Sequence, residues 1–378
     1  MLFEKQKGTS ETPKAQLASS NLYFFLKYPT LSVMKKGKIM PTQRDVARIA
    51  GVSSASVSRF ITDPGNVRAE TAQRVKKAIA ESGYKVDQSA RILRTGRSYH
   101  VGILLPGIGP FYWEILQGIQ DHLTRSGYFS TIFYTRDIDS SIHNTREKLS
   151  NFLNNKLIEG VIFFPLLNTE VDAGILKHLR QLHENLVIAD REMEDCSLDQ
   201  IYIDNGQAGG AAADALLAEG HERMLFIHGK KDSYAAVKRC EGFLARLREA
   251  GVPWSEERII HGDYTSETSY LLARRCLPSL PPFTGVFAVN DATAIGFLRA
   301  AREYGLRCPQ DFSLIGFDNN REFTPYMDPP LSTFQQPLNE LGHIAAMRII
   351  KQIEGDLSPG HTVLRANFVR RESLGSIP

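Results

Sequence analysis

The sequence predicts a small all-α head followed by a larger α/β body built as two doubly wound lobes. Three observations carry that expectation. Charge divides sharply along the 378 residues: of 45 Lys and Arg and 42 Asp and Glu in total, the first 98 residues hold 18 against 7, leaving 27 against 35 for the rest. Within the basic part, two short amphipathic stretches meet at Gly51 and a third follows. Beyond Tyr99, short apolar runs alternate with stretches long enough for helices, in two successive series.

Composition sets the outer limits. A hydrophobic content of 42% and a net charge of +3 fit an ordinary soluble chain with length for two or three domains. The basic head points to a polyanion as its partner. Cys196, Cys240, Cys276 and Cys308 are widely spaced, form no C-x-x-C and accompany no His cluster, so no metal, redox pair or other cofactor is expected. No apolar run is long enough to span a bilayer, and "LYFFL" at 22–26 lacks a cleavage site behind it. The expected location is therefore the cytoplasm, without membrane attachment. Residues 1–39 show no sustained periodicity and are expected to be a disordered leader, with Met34 and Met40 as alternative starts.

Residues 40–84 form the expected head. Thr42 is placed to cap a first helix, with Asp45 at the third helical position and Val46, Ala47, Ile49 and Ala50 on the apolar side. Gly51 ends it. Ser53 caps a second helix in which Val57 and Phe60 face inward. A third runs from Ala69 to Ser82, with Val75, Ala78 and Ile79 inward and Gly83 as its stop. Two short helices turned at a glycine make a helix-turn-helix unit. The stretch "GVSSASVSRF" at 51–60, which opens the second helix, holds four serines. Small hydroxylated side chains let a helix approach DNA closely and bond phosphates or base edges. Ser54, Ala55 and Arg59 lie opposite Val57 and are the expected base readers, Arg59 being suited to a guanine. Thr42, Ser53, Ser56 and Ser58 are expected to cap or to contact phosphate.

In the body, residues 99–378, the first series of strands is "VGILLP", "STIFY", "GVIFFP", "LVIAD" and "IYID"; the second is "MLFIHG", "RIIHGD", "GVFAVND" and "SLIGFD". Continuous apolar runs suit parallel strands covered on both faces. Linear tracking puts the first lobe at 99–204 and 336–357, and the second at 205–335 and 358–378. Ligands of such sheets bind where the strands end. Asp190, Arg191, Asp204, Asn205, Asn290, Asp291, Asp318 and Asn319 stand at those ends.

The run from Thr42 to Tyr84, "TQRDVARIAGVSSASVSRFITDPGNVRAETAQRVKKAIAESGY", together with "ARIL" at 90–93, resembles the LacI/GalR family of bacterial transcription regulators. The resemblance extends to about Ser373. It implies that Ser54 and Ala55 occupy the main specificity positions, and that 85–98 is a linker whose hinge helix, around Ser89 to Leu93 and including Ala90, meets operator DNA with Leu93 in the minor groove. Arg68 stands where the family usually caps its third helix, and Val86-Asp87 replaces its usual Pro-Asn. The same resemblance gives the body a periplasmic-binding-protein-like fold and assigns Phe111, Tyr112, Asp190, Arg191, Arg239, Asn290 and Asp318 to an effector site. The implied effector is a sugar or sugar derivative, with a nucleobase as the rarer alternative, and the implied assembly is a homodimer on a pseudo-palindromic operator, most simply a repressor of carbohydrate-use genes. The tail "ANFVRRESLGSIP" has no heptads that would extend a dimer to a tetramer.

Two rival functions are weighed against this. An enzyme is disfavoured: "GIG" at 107–109 is followed by Pro110 and Tyr112 where a dinucleotide turn needs glycine, and no P-loop, G-x-S-x-G or H-E-x-x-H occurs. A solute-binding protein of the same two-lobed fold needs an export signal and has no use for a basic head.

Overall fold

The computed structural model describes residues 41–62, 64–84, 97–135, 150–151, 158–165, 170–193, 197–355 and 360–377. The expected leader, the hinge helix with Ala90 and Leu93, and Cys196 lie outside them. Two compact units divide the chain at Asp87 and Gln88.

The first unit contains α1 (Gln43–Ala50), α2 (Ser54–Thr62) and α3 (Ala69–Ser82). Thr42 and Asp45 form a reciprocal capping box, the Thr42 amide donating to Asp45 Oδ2 at 2.9 Å. Gly51 ends α1 with a left-handed φ of 63°. A side chain there would also meet the Arg74 guanidinium, which donates to the Ala50 carbonyl at 2.6 and 2.9 Å and to that of Gly51 at 2.7 Å. Arg74 thus reaches from α3 to satisfy the orphan carbonyls at the end of α1. Val46, Ala47, Ala50, Val57, Val75 and Ala78 make the core. Arg68 offers α3 no side-chain cap.

The second unit has a first lobe with β1 (His100–Leu105), α4 (Pro110–Arg125), β2 (Phe129–Tyr134), β3 (Ile158–Phe163), α5 (Glu170–Leu182), β4 (Leu186–Asp190) and β5 (Asp199–Ile203). The second lobe follows with α6 (Asn205–Ala218), β6 (Met224–His228), α7 (Tyr234–Glu249), β7 (Ile259–His261), α8 (Ser266–Cys276), β8 (Gly285–Ala288), α9 (Asp291–Glu303) and β9 (Ser313–Ile315). Then come β10 (Thr333–Gln335), α10 (Leu338–Ile353), β11 (His361–Leu364) and β12 (Asn367–Val369). The lobes hold parallel sheets ordered β11-β5-β4-β3-β1-β2 and β7-β6-β8-β9. One hydrophobic core runs from Ile103 and Ile162 of the first lobe to Phe226, Phe287 and Phe317 of the second.

The tail departs from expectation. Residues 358–378 do not all join the second lobe: β11 extends the first sheet beside β5, while β12 pairs antiparallel with β10. Buried Asp199 explains the edge, accepting from Arg348 Nη1 at 3.1 Å, Gln352 Nε2 at 2.7 Å and the Gly360 amide at 3.0 Å. The chain therefore passes between the lobes three times, after β5, after β10 and after β11.

Candidate DNA-reading surface and ligand cleft

On the head, Ser54, Ala55 and Arg59 are exposed along α2 while Val57 is fully buried. Ser53 Oγ accepts from the Ser56 amide at 3.1 Å, and the two hydroxyls share a hydrogen bond at 2.9 Å, so this pair serves the helix start. Thr42 is likewise occupied with Asp45. With Ser58 half-buried one turn beyond Ser54, the outward face of α2 thus offers hydroxyls, a methyl and a guanidinium, a set able to read base edges in a major groove.

The cleft is organised by Arg239, a charge buried at 4% exposure on α7. Its Nε donates to Asn205 Oδ1 at 2.9 Å, its Nη1 to the Val289 carbonyl at 2.7 Å, and its Cζ lies over the Phe317 ring, 3.6 Å from the centroid. The crossing of α6 and α7 is what allows this. A Cβ on Gly209 would sit 2.0 Å from the Arg239 carbonyl oxygen, and one on Gly242 would sit 1.9 Å from that of Gly206.

Around this guanidinium stand carboxylates from both lobes. Burial pushes Asp190, at the end of β4, up to about 7, although Arg239 and Arg191 both favour its charge. Burial also raises Asp318 against the pull of Arg239 and of Gln336, whose Nε2 donates to Oδ1 at 2.7 Å. Asp291 is raised by burial and by Asp318. Burial lowers Arg239 itself, with Asp318, Tyr264 and Asp190 opposing. Asp190, Tyr264 and Asp318 hold left-handed φ values of 79°, 76° and 110°. Strain of this kind is kept where side-chain placement matters more than backbone comfort.

The other expected contacts divide. Asn290 caps α9, its Oδ1 accepting from the Thr293 amide at 2.9 Å and its Nδ2 donating to the Tyr264 carbonyl at 3.2 Å. Arg191 is buried and lines a groove of about 980 Å³ between α5 and α7, with Lys177, Glu192 and Tyr234. Phe111 and Tyr112 are half-buried, meet edge to face at 5.0 Å and pack on the first lobe's core, leaving Trp113 exposed. Among the described residues, no group of three or more His, Cys, Asp or Glu could hold a metal. No described helix is long and apolar enough to cross a membrane.

Residues 42–87 match the bacterial regulatory proteins, lacI family, and residues 213–374 match the periplasmic binding protein-like domain. The chain is 32% identical to the HTH-type transcriptional repressor CytR of Escherichia coli over 91% of its length and 99% of that protein's. The chain belongs to the lacI family of bacterial regulatory proteins. It is also 31% identical to the transcriptional repressor PurR of Vibrio atlanticus, over 83% of this chain and 92% of that one. A solved CelR-cellobiose complex matches at 27% identity and TM-score 0.66, covering 88% of this chain and 99% of that one. A Lac repressor dimer bound to operator and an anti-inducer has the same fold, at 22% identity and TM-score 0.76, covering 89% of this chain and all of that one.

Within this family member, sequence reasoning missed Phe317, Tyr264 and Gln336. Phe317 reads as one more apolar residue in a buried strand, and Tyr264 follows a strand three residues long. Gln336 lies within the segment leading to α10. Only its 2.7 Å hydrogen bond marks it.

Proposed function

We propose that this protein is a ligand-controlled, sequence-specific DNA-binding repressor that acts as a homodimer on a pseudo-palindromic operator. The observation that carries the ligand part is Arg239, buried and braced on three sides, with carboxylates of both lobes about it. Asp190 comes from the first lobe and Asp318 from the second, so a ligand bonding both favours one lobe arrangement. Carboxylates accept hydrogen bonds from hydroxyls, and the partly buried Tyr264 ring suits the C–H face of a sugar. Several carboxylates about one guanidinium oppose a phosphate. The effector class this supports is a neutral, polyhydroxylated sugar. Likeness to a cellobiose-bound CelR points the same way.

The dimer is supported by the head, which offers a single short reading helix, so that a pseudo-palindromic operator needs two copies related by a two-fold axis. A DNA target places the protein in the cytoplasm.

The test is a thermal-shift screen of sugars, sugar phosphates and nucleobases, followed by titration of a duplex selected from a random pool. Asp318→Ala is expected to keep duplex affinity and lose the response to the best neutral sugar. Turnover of that sugar, or loss of duplex binding in a folded Asp318→Ala protein, would refute the assignment.

A further inference from the structure

Five described non-glycine residues hold a left-handed φ, and four of them, Asp190, Tyr264, Asp318 and Asn319, lie at the strand ends of the cleft. The fifth is Tyr99, with φ 58°, where the chain enters β1. Its surroundings are built around one side chain. Glu159, the second residue of β3, accepts through Oε1 from the Ser98 amide, from the Tyr99 amide at 2.7 Å and from the Ser98 hydroxyl at 3.2 Å. Through Oε2 it accepts from Arg97 Nε at 3.3 Å and Nη2 at 3.1 Å. Arg97 Nη2 also donates to the Tyr128 hydroxyl at 2.6 Å, and its guanidinium lies 4.8 Å from the Tyr99 ring centroid. The Glu159 carbonyl accepts from Asn185 Nδ2 at 2.9 Å, just ahead of β4.

The reason for this density of bonds is local. The β1–β3 ladder changes register between His100 and Val101. Ser98 is 2% exposed, so its amide needs an acceptor, and the carboxylate supplies one to two successive amides at once. A carboxylate accepts only, which suits a site crowded with donors.

We propose that Glu159 is a positioning residue: it fixes residues 97–99 to β3, so that the first lobe's position reaches the chain leading to the head without slack. This rests on the reading that the lobes control a DNA-binding head. The geometry concerns the second unit alone. Movement of β4, which carries Asp190, is passed through β3 and Glu159 to residue 97, rather than being lost in a loose segment. Glutamine at 159 keeps one acceptor oxygen and sets an NH2 against the guanidinium or the amides; alanine leaves the Ser98 amide without its acceptor.

The test uses the full chain with Glu159→Gln, Glu159→Asp and Glu159→Ala. It measures hydrogen exchange at the Ser98 and Tyr99 amides, thermal unfolding, and affinity for a duplex selected by the wild type. Exchange is expected to quicken by about tenfold or more in Glu159→Gln, and less in Glu159→Asp, which keeps the charge. Duplex affinity of Glu159→Gln is expected to fall by about fivefold or more at an unchanged unfolding midpoint. Unchanged exchange in Glu159→Gln would overturn the anchor. Faster exchange with unchanged duplex affinity would overturn the positioning role, leaving a structural one. If Glu159→Ala fails to fold, Glu159→Gln decides. If the wild type selects no duplex, the DNA-binding reading fails and with it the positioning role, while exchange still decides the anchor.

Discussion

Arg239 is held by its shape as much as by its charge, and the two can be separated. The planar fork reaches Asn205 and the Val289 carbonyl while its face rests on Phe317, a combination that an ammonium group cannot reproduce. Arg239→Lys is therefore expected to weaken effector binding by about tenfold or more while keeping the charge, as read by calorimetry. Asp190 provides a pH signature. Its carboxyl ionises near 3.8 when unfolded and at about 7 in the folded protein. Between those values the folded state holds more protons, so this residue's contribution to stability falls as pH rises. A hydroxyl that donates to Asp190 favours the ionised form, so sugar binding expels a proton and affinity rises as pH climbs towards about 7, then levels off. Asp190→Asn is expected to flatten that profile; a wild-type affinity independent of pH would remove Asp190 from the site.

At the level of elements, helix ends and helix crossings decide placement. The α6–α7 crossing brings Arg239 to Asn205 only because Gly209 carries no side chain. Gly209→Ala must push the helices apart and is expected to cost about 1–3 kcal/mol and to weaken effector binding, measured by thermal unfolding and calorimetry. On the head, Arg74→Ala removes three bonds to the end of α1, two of them to one carbonyl. The expected loss is about 1.5–3 kcal/mol in the head's stability, seen as faster amide exchange in α1 and α2 of the full chain. Caps were readable beforehand, since a Thr three residues ahead of an Asp needs only local geometry. Arg74 was not, because its partners lie 23 and 24 residues away.

Across the whole molecule, charge and connectivity set the behaviour. The first 98 residues hold 18 basic side chains against 7 acidic. Duplex affinity should accordingly fall with salt with a log-log slope of several units, and Arg59→Ala should lower sequence discrimination more than it lowers that slope. A slope near zero would contradict a phosphate-contacting head. Three chain passages join the lobes, so they can rotate about one another without separating. Sedimentation is expected to show a dimer at micromolar concentration; a monomer on the selected duplex would contradict the two-fold reading of the operator.

The sequence by itself determined the division into a basic helical head and a two-lobed body, the caps of α1 and α2, the outward face of Ser54, Ala55 and Arg59, and the strand ends where Asp190 and Asp318 stand. These depend on periodicity and on contacts within a few residues. Only the tertiary structure decided that Asn290 also holds the Tyr264 carbonyl, that Arg191 lines the groove between α5 and α7, that Phe317 and Gln336 support the cleft, and that β11 forms the edge of the first sheet. Each of these depends on which distant segments meet, set by close helix crossings and by the need of buried polar groups for partners, and neither leaves a mark in local spacing.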